Sequence, residues 1–508
     1  MTQDRSAPVT AAVLLAGAAF GAAAVFLGAG VLAGAWPKGW AALVCALVLA
    51  ALGATALAAG RGNRTAPRDA PGLVKPDKVP SGKPVSGRTS VVAAGVAWLL
   101  AVVAAGSWGI STMDDDEGGG GRAEGDRTPE ASAPPAREKS RLAWSVPAVG
   151  VKYDTGVGAW AFGDTVAQGR LDGLFAYGAA DGAVRWSVSA PAREALCGMS
   201  PGIEQGIGLI AYGRHDKPCA TLLAVRASDG KVLWRTGLTG EGLTERGIAV
   251  GGGTAVTAED GAVRGRSATT GEQRWRRVLD PGCAVLAVDA DATRTLVVEQ
   301  CGKAARLVAL DTPTGARKWL RELPVESGAE ASVVSVSPVV LAVDEEDKRG
   351  THAFLGFDDT GAPTVTVPLS RPEGLLSAPG GVGDGRTAEP VVRDGRLITL
   401  VERGELVPDR VAAYSLKDGR RIWEYASEQQ TAALTAHSDG RVAVLESHSD
   451  ARVVLLDPGT GRPGRVRDPE DPKAVVSIYP ELLVTSGGHH VVVNHTLMET
   501  EPSAFGLS

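Results

Sequence analysis

Residues 308–319 read VALDTPTGARKW: a short apolar alternation, an Asp, a Thr-Gly turn, and a Trp four residues past the Gly. Close variants end at Trp186 (FAYGAADGAVRW), Trp234 (LAVRASDGKVLW), Trp275 (RGRSATTGEQRW) and Trp423 (AAYSLKDGRRIW). A unit with one turn and one aromatic, recurring along a chain, marks an array whose members bury their faces only against their neighbours. The polypeptide is therefore a repeat protein before it is anything else.

Anchored on the turn glycine, the units sit at Gly182, Gly230, Gly271, Gly315, Gly361, Gly419 and Gly461, preceded by Asp181, Asp229, Thr270, Thr314, Thr360, Asp418 and Thr460. Asp or Thr bonds locally while Gly accepts a positive φ, so each pair is expected to close a hairpin between two strands. Val365 and Arg465 stand in the Trp position of two units. A small residue upstream of the ring, at Ala176, Ala224, Ala309 and Ala413, points to packing between adjacent sheets.

The Trp position recurs every 41 to 58 residues, enough for four short strands. In the Trp319 unit, TRTLVVEQ, ARLVALD and ARKWLREL are β-branched or alternating runs separated by turn residues. Four antiparallel strands at this period describe a β-propeller blade. After Arg465 come AVVSIYP, ELLVTSG and HHVVVNH, with no Trp strand to follow, whereas RLAWSVP near the start supplies one, with Trp144 lying 42 residues before Trp186. If that strand completes the last blade, seven full units and one composite close an eight-bladed ring of four-stranded antiparallel blades and remove its open edges.

These residues carry a family resemblance. VALDTPTGARKW resembles the tryptophan-docking repeat of the PQQ-like (quinoprotein-type) β-propellers, in which Ala, Asp, Thr-Gly and Trp recur once per blade. The resemblance covers roughly residues 142–508 and is close at Ala309, Asp311, Thr314, Gly315 and Trp319, while Gly178, Arg226, Ser267 and Ser415 stand where the repeat's Asp would be. It implies a propeller. For members that oxidise substrates through pyrroloquinoline quinone, it further implies a larger ring, an adjacent Cys-Cys pair, a Ca²⁺ site of Asp, Glu and Asn and, in some, a CxxCH haem motif. This sequence has neither adjacent cysteines nor CxxCH. The expectation is a non-catalytic binding or scaffold module with no cofactor and no metal, since smaller envelope scaffolds of the family, which assist the assembly of other proteins, are nearer in size. A quinone-dependent oxidoreductase or a sensor of a small extracellular ligand is the alternative.

Three uncharged apolar runs precede the repeats, at residues 9–35, 40–60 and 91–110, each about long enough to cross a bilayer. A cleaved signal peptide is the other reading of the first, but its apolar part is too long and Asp4 offsets Arg5. Residues 61–89 hold seven Lys/Arg against two Asp, which assigns that loop to the cytoplasm. The N-terminus is then also cytoplasmic and the repeats lie outside. The expected organisation is a three-span membrane domain (1–111), a disordered acidic, Gly- and Pro-rich linker (112–141) and an extracytoplasmic propeller (142–508). With the whole chain at −6 and the first 111 residues at +6, the remainder carries −12, which argues against nucleic acid as a partner and leaves a protein or peptide of the cell envelope.

Beyond Cys45, inside the second run, four cysteines remain. Of their three possible connectivities, pairing within blades (Cys197 with Cys219, Cys283 with Cys301) is the economical one, and an oxidising exterior favours it. A GxSxG string at residues 198–202 fails as a hydrolase elbow, because Pro201 has no N–H to offer an oxyanion. His489, His490 and His495 cluster in sequence without an evident further ligand, and Asp289, Asp291 and the acids at 344–347 read as exposed turns.

Overall fold

The structure, a computed structural model, describes residues 136–148, 156–214, 217–240, 242–326, 328–379, 390–404, 407–447, 451–469, 475–477, 480–495 and 501–508. The three expected membrane spans, the basic loop and most of the acidic linker lie outside the described residues.

Eight sheets follow one another along the chain: blades 1 to 7 at residues 158–189, 194–237, 243–278, 283–322, 329–368, 370–426 and 430–469, and blade 8 at 480–507 with 142–147. Blades 1 to 5 each run as four antiparallel strands in sequence order, and the first strands of successive blades adjoin, which makes them the inner ring. Blade 8 is composite. Leu142–Pro147 pairs antiparallel with Pro502–Leu507, placing Trp144 opposite Gly506. This is the expected eight-bladed, all-β propeller, closed by strands from both ends of the ring.

Alternation explains why the middle strands read as continuous apolar runs. Along Arg294–Cys301, Leu296 and Val298 pack toward blade 5 beside Leu341 and Leu355, whereas Val297 packs toward blade 3 beside Val256 and Val263. A strand between two neighbouring blades has no solvent face, so both sets of side chains must be apolar. The fourth strands are outermost and half wet, as the exposed charges of Arg317–Glu322 (RKWLRE) record.

Two departures from the expected plan appear. The linker ends before residue 141, because Ala136–Ser140 (AREKS) is a fifth strand of blade 7, parallel to Pro463–Pro469. Four of its five residues are exposed, so it has no periodicity to read. Backbone pairing holds it, assisted by Arg137 to Glu428 (2.9 Å) and Asp468 (3.1 Å) and by Glu138 to Arg465 (3.1 Å). In blade 6, Gly374–Leu376 and Val391–Arg393 both pair with Arg396–Glu402, so the inner position is shared by two short strands with a long excursion between them. That excursion accounts for the long interval between Val365 and Trp423.

Candidate functional site

Each repeat builds its own turn and then uses it to hold the neighbouring blade. In blade 4, an Asp311 carboxylate oxygen accepts from the Thr314 N–H (3.2 Å) and hydroxyl (2.7 Å), and the Gly315 N–H donates to the Asp311 carbonyl (2.8 Å). The Thr314 hydroxyl holds the Asp311 carboxyl below its ordinary range, keeping it charged as an acceptor. Gly315 has φ +70°, and a Cβ there would lie 2.5 Å from the Trp275 ring of blade 3. Both the backbone and the neighbour therefore require glycine.

The Trp275 indole N–H donates to the Thr312 carbonyl (2.9 Å), and the same bond joins Trp144 to Ala179, Trp234 to Ala268, Trp319 to Asp359 and Trp423 to Pro458, at 2.8–2.9 Å. Trp186 lies against Gly230 in the same way, although its N–H is buried with no acceptor among the described residues. Gly182, Gly271, Gly361 and Gly461 likewise sit on the ring of the preceding blade. Opposite the rings stand Ala176, Ala224, Ala309 and Ala413, joined by Gly265 and Gly506. The tryptophans are internal staples between blades.

The two units without Trp differ from the six and from each other. At the junction of blades 5 and 6, Gly419 keeps φ +70° but its nearest neighbours are the Thr366 carbonyl and a Val365 methyl. A half-open cleft of about 470 Å³ lies there, lined by Val339, Val340, Gly356, Phe357, Thr364 and Leu416 and flanked by Pro338 and Lys417. Leu416 precedes its turn glycine by three residues, as Thr312 precedes Gly315, and among the described residues nothing donates to its carbonyl. Arg371 supports the turn from another side: it donates to the Gly419 carbonyl (3.4 Å) and to Glu373 (2.9 Å) and lies over the Tyr414 ring. Burial, with Glu373 beside it, pushes the Tyr414 hydroxyl well above its ordinary range.

At the junction of blades 7 and 8, Arg465 replaces Trp and the strand Ala136–Ser140 covers the edge. Here His490 is fully buried, its ring stacked on His437 (5.4 Å) and its Nδ1 3.2 Å from an Arg467 nitrogen. Burial first, then the Arg467 charge, pushes it down to about 3, so it is neutral at ordinary pH.

The remaining candidates separate into structural roles. Cys197–Cys219 and Cys283–Cys301 are disulfides within blades 2 and 4, the second between register partners. Ser200 of the GxSxG string is buried; its hydroxyl donates to the Gly202 carbonyl (2.7 Å) and accepts from the Leu209 N–H (3.1 Å). His489 and His495 lie beyond opposite ends of His490–Asn494, roughly 20 Å apart along an extended strand, and His495 pairs with Glu481 (2.9 Å). Among the described residues no group of three His, Cys, Asp or Glu is placed to hold a metal. Asp291 caps its turn as expected, but Glu345 is 5% exposed and accepts from the Glu326 N–H (2.8 Å), so the acids at 344–347 are not all exposed.

Sequence reasoning missed a set of buried carboxylates. Glu259, Glu299 and Glu446 each lie three residues past the second-strand partner (Val256, Leu296, Ala443) of the third-strand residue that faces the Trp position (Gly265, Ala309, Leu455). Glu259 meets Arg266 (2.6 Å) and the Thr239 N–H (2.8 Å), Glu299 meets Arg277 and Arg306 (2.7 Å), and Glu446 meets Arg452 (3.1 Å) and the Tyr425 hydroxyl (2.8 Å). Their constant offset was the available signal. Arginine pairing makes them pins within and between blades.

A family model described as outer membrane protein assembly factor BamB matches residues 208–347, from the second strand of blade 2 into blade 5. The match spans 140 of the 508 residues. No curated protein matches the sequence. Among solved structures, BamB from Moraxella catarrhalis aligns with this propeller at 16% identity and TM-score 0.44, covering 69% of this chain and 95% of that one. The quinohemoprotein alcohol dehydrogenase ADHIIG from Pseudomonas putida HK5 aligns at 12% identity and TM-score 0.45, covering 72% and 76%. The C-terminal WD40 domain of Sif2 aligns at 12% and 0.45, covering 72% and 98%. Likenesses of this order to both an assembly factor and an oxidoreductase decide nothing about activity.

Proposed function

We propose that this chain is a non-catalytic, protein-binding scaffold, with its PQQ-like propeller displayed outside the cytoplasmic membrane by three N-terminal spans. The observation that carries the reading is the match of residues 208–347 to a model described as an assembly factor. The geometry agrees with it. Tryptophans, turn aspartates and buried glutamates are committed to holding blades together, while the loops on the two faces of the ring remain as the surface a partner would meet. The net negative charge beyond residue 111 suits a protein partner better than a nucleic acid.

Cross-linking in intact cells, followed by recovery of the full-length chain, should trap one discrete envelope protein. Protease added to intact cells should cleave the chain beyond residue 111 and spare residues 61–89. Saturable binding of pyrroloquinoline quinone and Ca²⁺ by the purified chain, with reduction of a dye, would overturn the non-catalytic reading in favour of an oxidoreductase.

A further inference from the structure

The strand on the outer edge of blade 7 is an addition to the blade plan. Ala136–Ser140 lies parallel to Pro463–Pro469, and among the described residues no other blade carries a strand beyond its fourth. Only Ser140 of the five residues is buried, and a single residue, Arg141, separates this strand from Leu142–Pro147 on blade 8. Its hold on blade 7 is a five-residue ladder assisted by solvent-exposed ion pairs. Such a hold opens locally at little cost.

The edge under the strand is prepared from below. Buried Arg452 holds Glu428 (2.7 Å) and lies 3.7 Å from Asp468, the two carboxylates that Arg137 meets, and is itself fixed by buried Glu446 (3.1 Å). On the other side, Arg467 donates to Nδ1 of buried His490 (3.2 Å), and the Glu138 carboxylate lies 3.1 Å from Arg465 and 4.0 Å from Arg467. Charges placed by buried groups keep their positions when the strand leaves. A replacement strand then meets them without the cost of ordering them again.

We infer that the outer edge of blade 7 is a strand receptor: a partner polypeptide adds an extended segment parallel to Pro463–Pro469, with a basic residue against Glu428 and Asp468 and the acidic residue after it against Arg465 and Arg467, displacing Ala136–Ser140. The resident strand shows which segment fits, because the ladder fixes the register and successive side chains of a strand reach opposite faces. The assignment rests on the protein-binding reading and names the kind of segment by which a partner is held. The resident strand is thereby an internal competitor, and its attachment to the ring sets the affinity a partner must exceed.

The test titrates the full-length chain with a fluorescein-labelled peptide copying residues 134–141 (PPAREKSR), followed by anisotropy. Saturable binding is expected, about threefold to tenfold tighter to an Arg137→Ala, Glu138→Ala double variant, whose resident strand has lost its charged contacts. Adding Arg465→Glu to that variant should weaken binding about tenfold, and a peptide carrying Glu138→Arg should recover the loss, which a misfolded chain would not allow. No saturation of the double variant up to the solubility limit of the peptide, equal affinity for the double variant and wild type, or indifference to the charge reversal would each overturn the assignment. So would a concentration-dependent dimer of the chain that the peptide dissolves, which would give the edge to a second copy. The two readings fail separately. A partner cross-linked equally to wild type and Arg465→Glu leaves the scaffold standing without the receptor edge, and the expected titration with no cross-linked partner leaves the edge without the scaffold.

Discussion

The junction of blades 3 and 4 and the junction of blades 5 and 6 share a backbone plan and differ mainly in one side chain. Both have an outer strand facing a small residue, a turn glycine near φ +70° and a carbonyl three residues before it. Trp275 covers Gly315 and satisfies the Thr312 carbonyl; at the other junction the Thr366 carbonyl and a Val365 methyl lie on Gly419, and a cleft of about 470 Å³ opens nearby beside Gly356 and Leu416. The turn at Gly419 nevertheless forms, because Arg371 and Tyr414 support it from elsewhere. The repeated Trp is thus one way to join blades, and the geometry of the join precedes it.

That contrast can be broken most sharply from the sealed side. Trp275→Ala should lower stability by about 3–5 kcal/mol, the usual cost of emptying a large buried aromatic site, as measured by urea unfolding. A cost near that of Val365→Ala would show that the ring contributes no more than a methyl pair does.

The junction of blades 7 and 8 is sharpened by pH. The folded state holds His490 near 3 against 6.5 for the free side chain, so the unfolded chain binds the extra proton as pH falls. Stability is full above about 6.5 and should drop by about 2 kcal/mol between pH 7 and pH 5. Arg467, His437, Asp439 and His489 surround the ring, with Glu138 4.0 Å from Arg467, and all but Asp439 and Glu138 oppose a charge on it. His352 works in the opposite sense, because the hydrogen bond it donates to the Asp344 carboxylate raises its affinity for a proton; its contribution is full below the free value of 6.5 and is lost as pH rises. His490→Gln should therefore abolish the drop and leave the shallow reverse slope, whereas an unchanged drop would assign it to another group.

Two smaller effects bracket the comparison. Val365→Trp should stabilise by roughly 0.5–2 kcal/mol, the range for filling a cavity, and a loss instead would mean that the cleft is not shaped like the sealed sites. Arg137→Ala should leave the melting temperature almost unchanged, since the pairs to Glu428 and Asp468 are solvent-screened and the strand is held through its backbone. Thermal melts of the full chain resolve both.

Much of this was legible from the chain alone. The turn glycines and tryptophans gave the blade number and the composite closure, because both residues have a backbone or packing reason to sit at fixed spacing. Ala136–Ser140 was not legible: a polar strand on a polar edge has no inward face, and only the exposed edge of Pro463–Pro469 makes it a strand. The cleft was half legible. Val365 announced a missing ring, but whether its neighbours would close the gap depends on Phe357 and Leu416, which no local pattern relates. Glu259, Glu299 and Glu446 read as strand-end charges until the arginines on adjacent strands are seen to meet them.

The pairing of Leu142–Pro147 with Pro502–Leu507 gives the ring a proofreading property. The earliest-made strand of the ring proper must wait for the last, across a separation that makes its contacts among the slowest to form. A chain interrupted between Asn494 and Pro502 would hold Leu142–Pro147 as a loose edge and leave His490–Asn494 unpaired on one side, and unpaired edges invite association. Closure of this propeller therefore waits on the making of Pro502–Leu507.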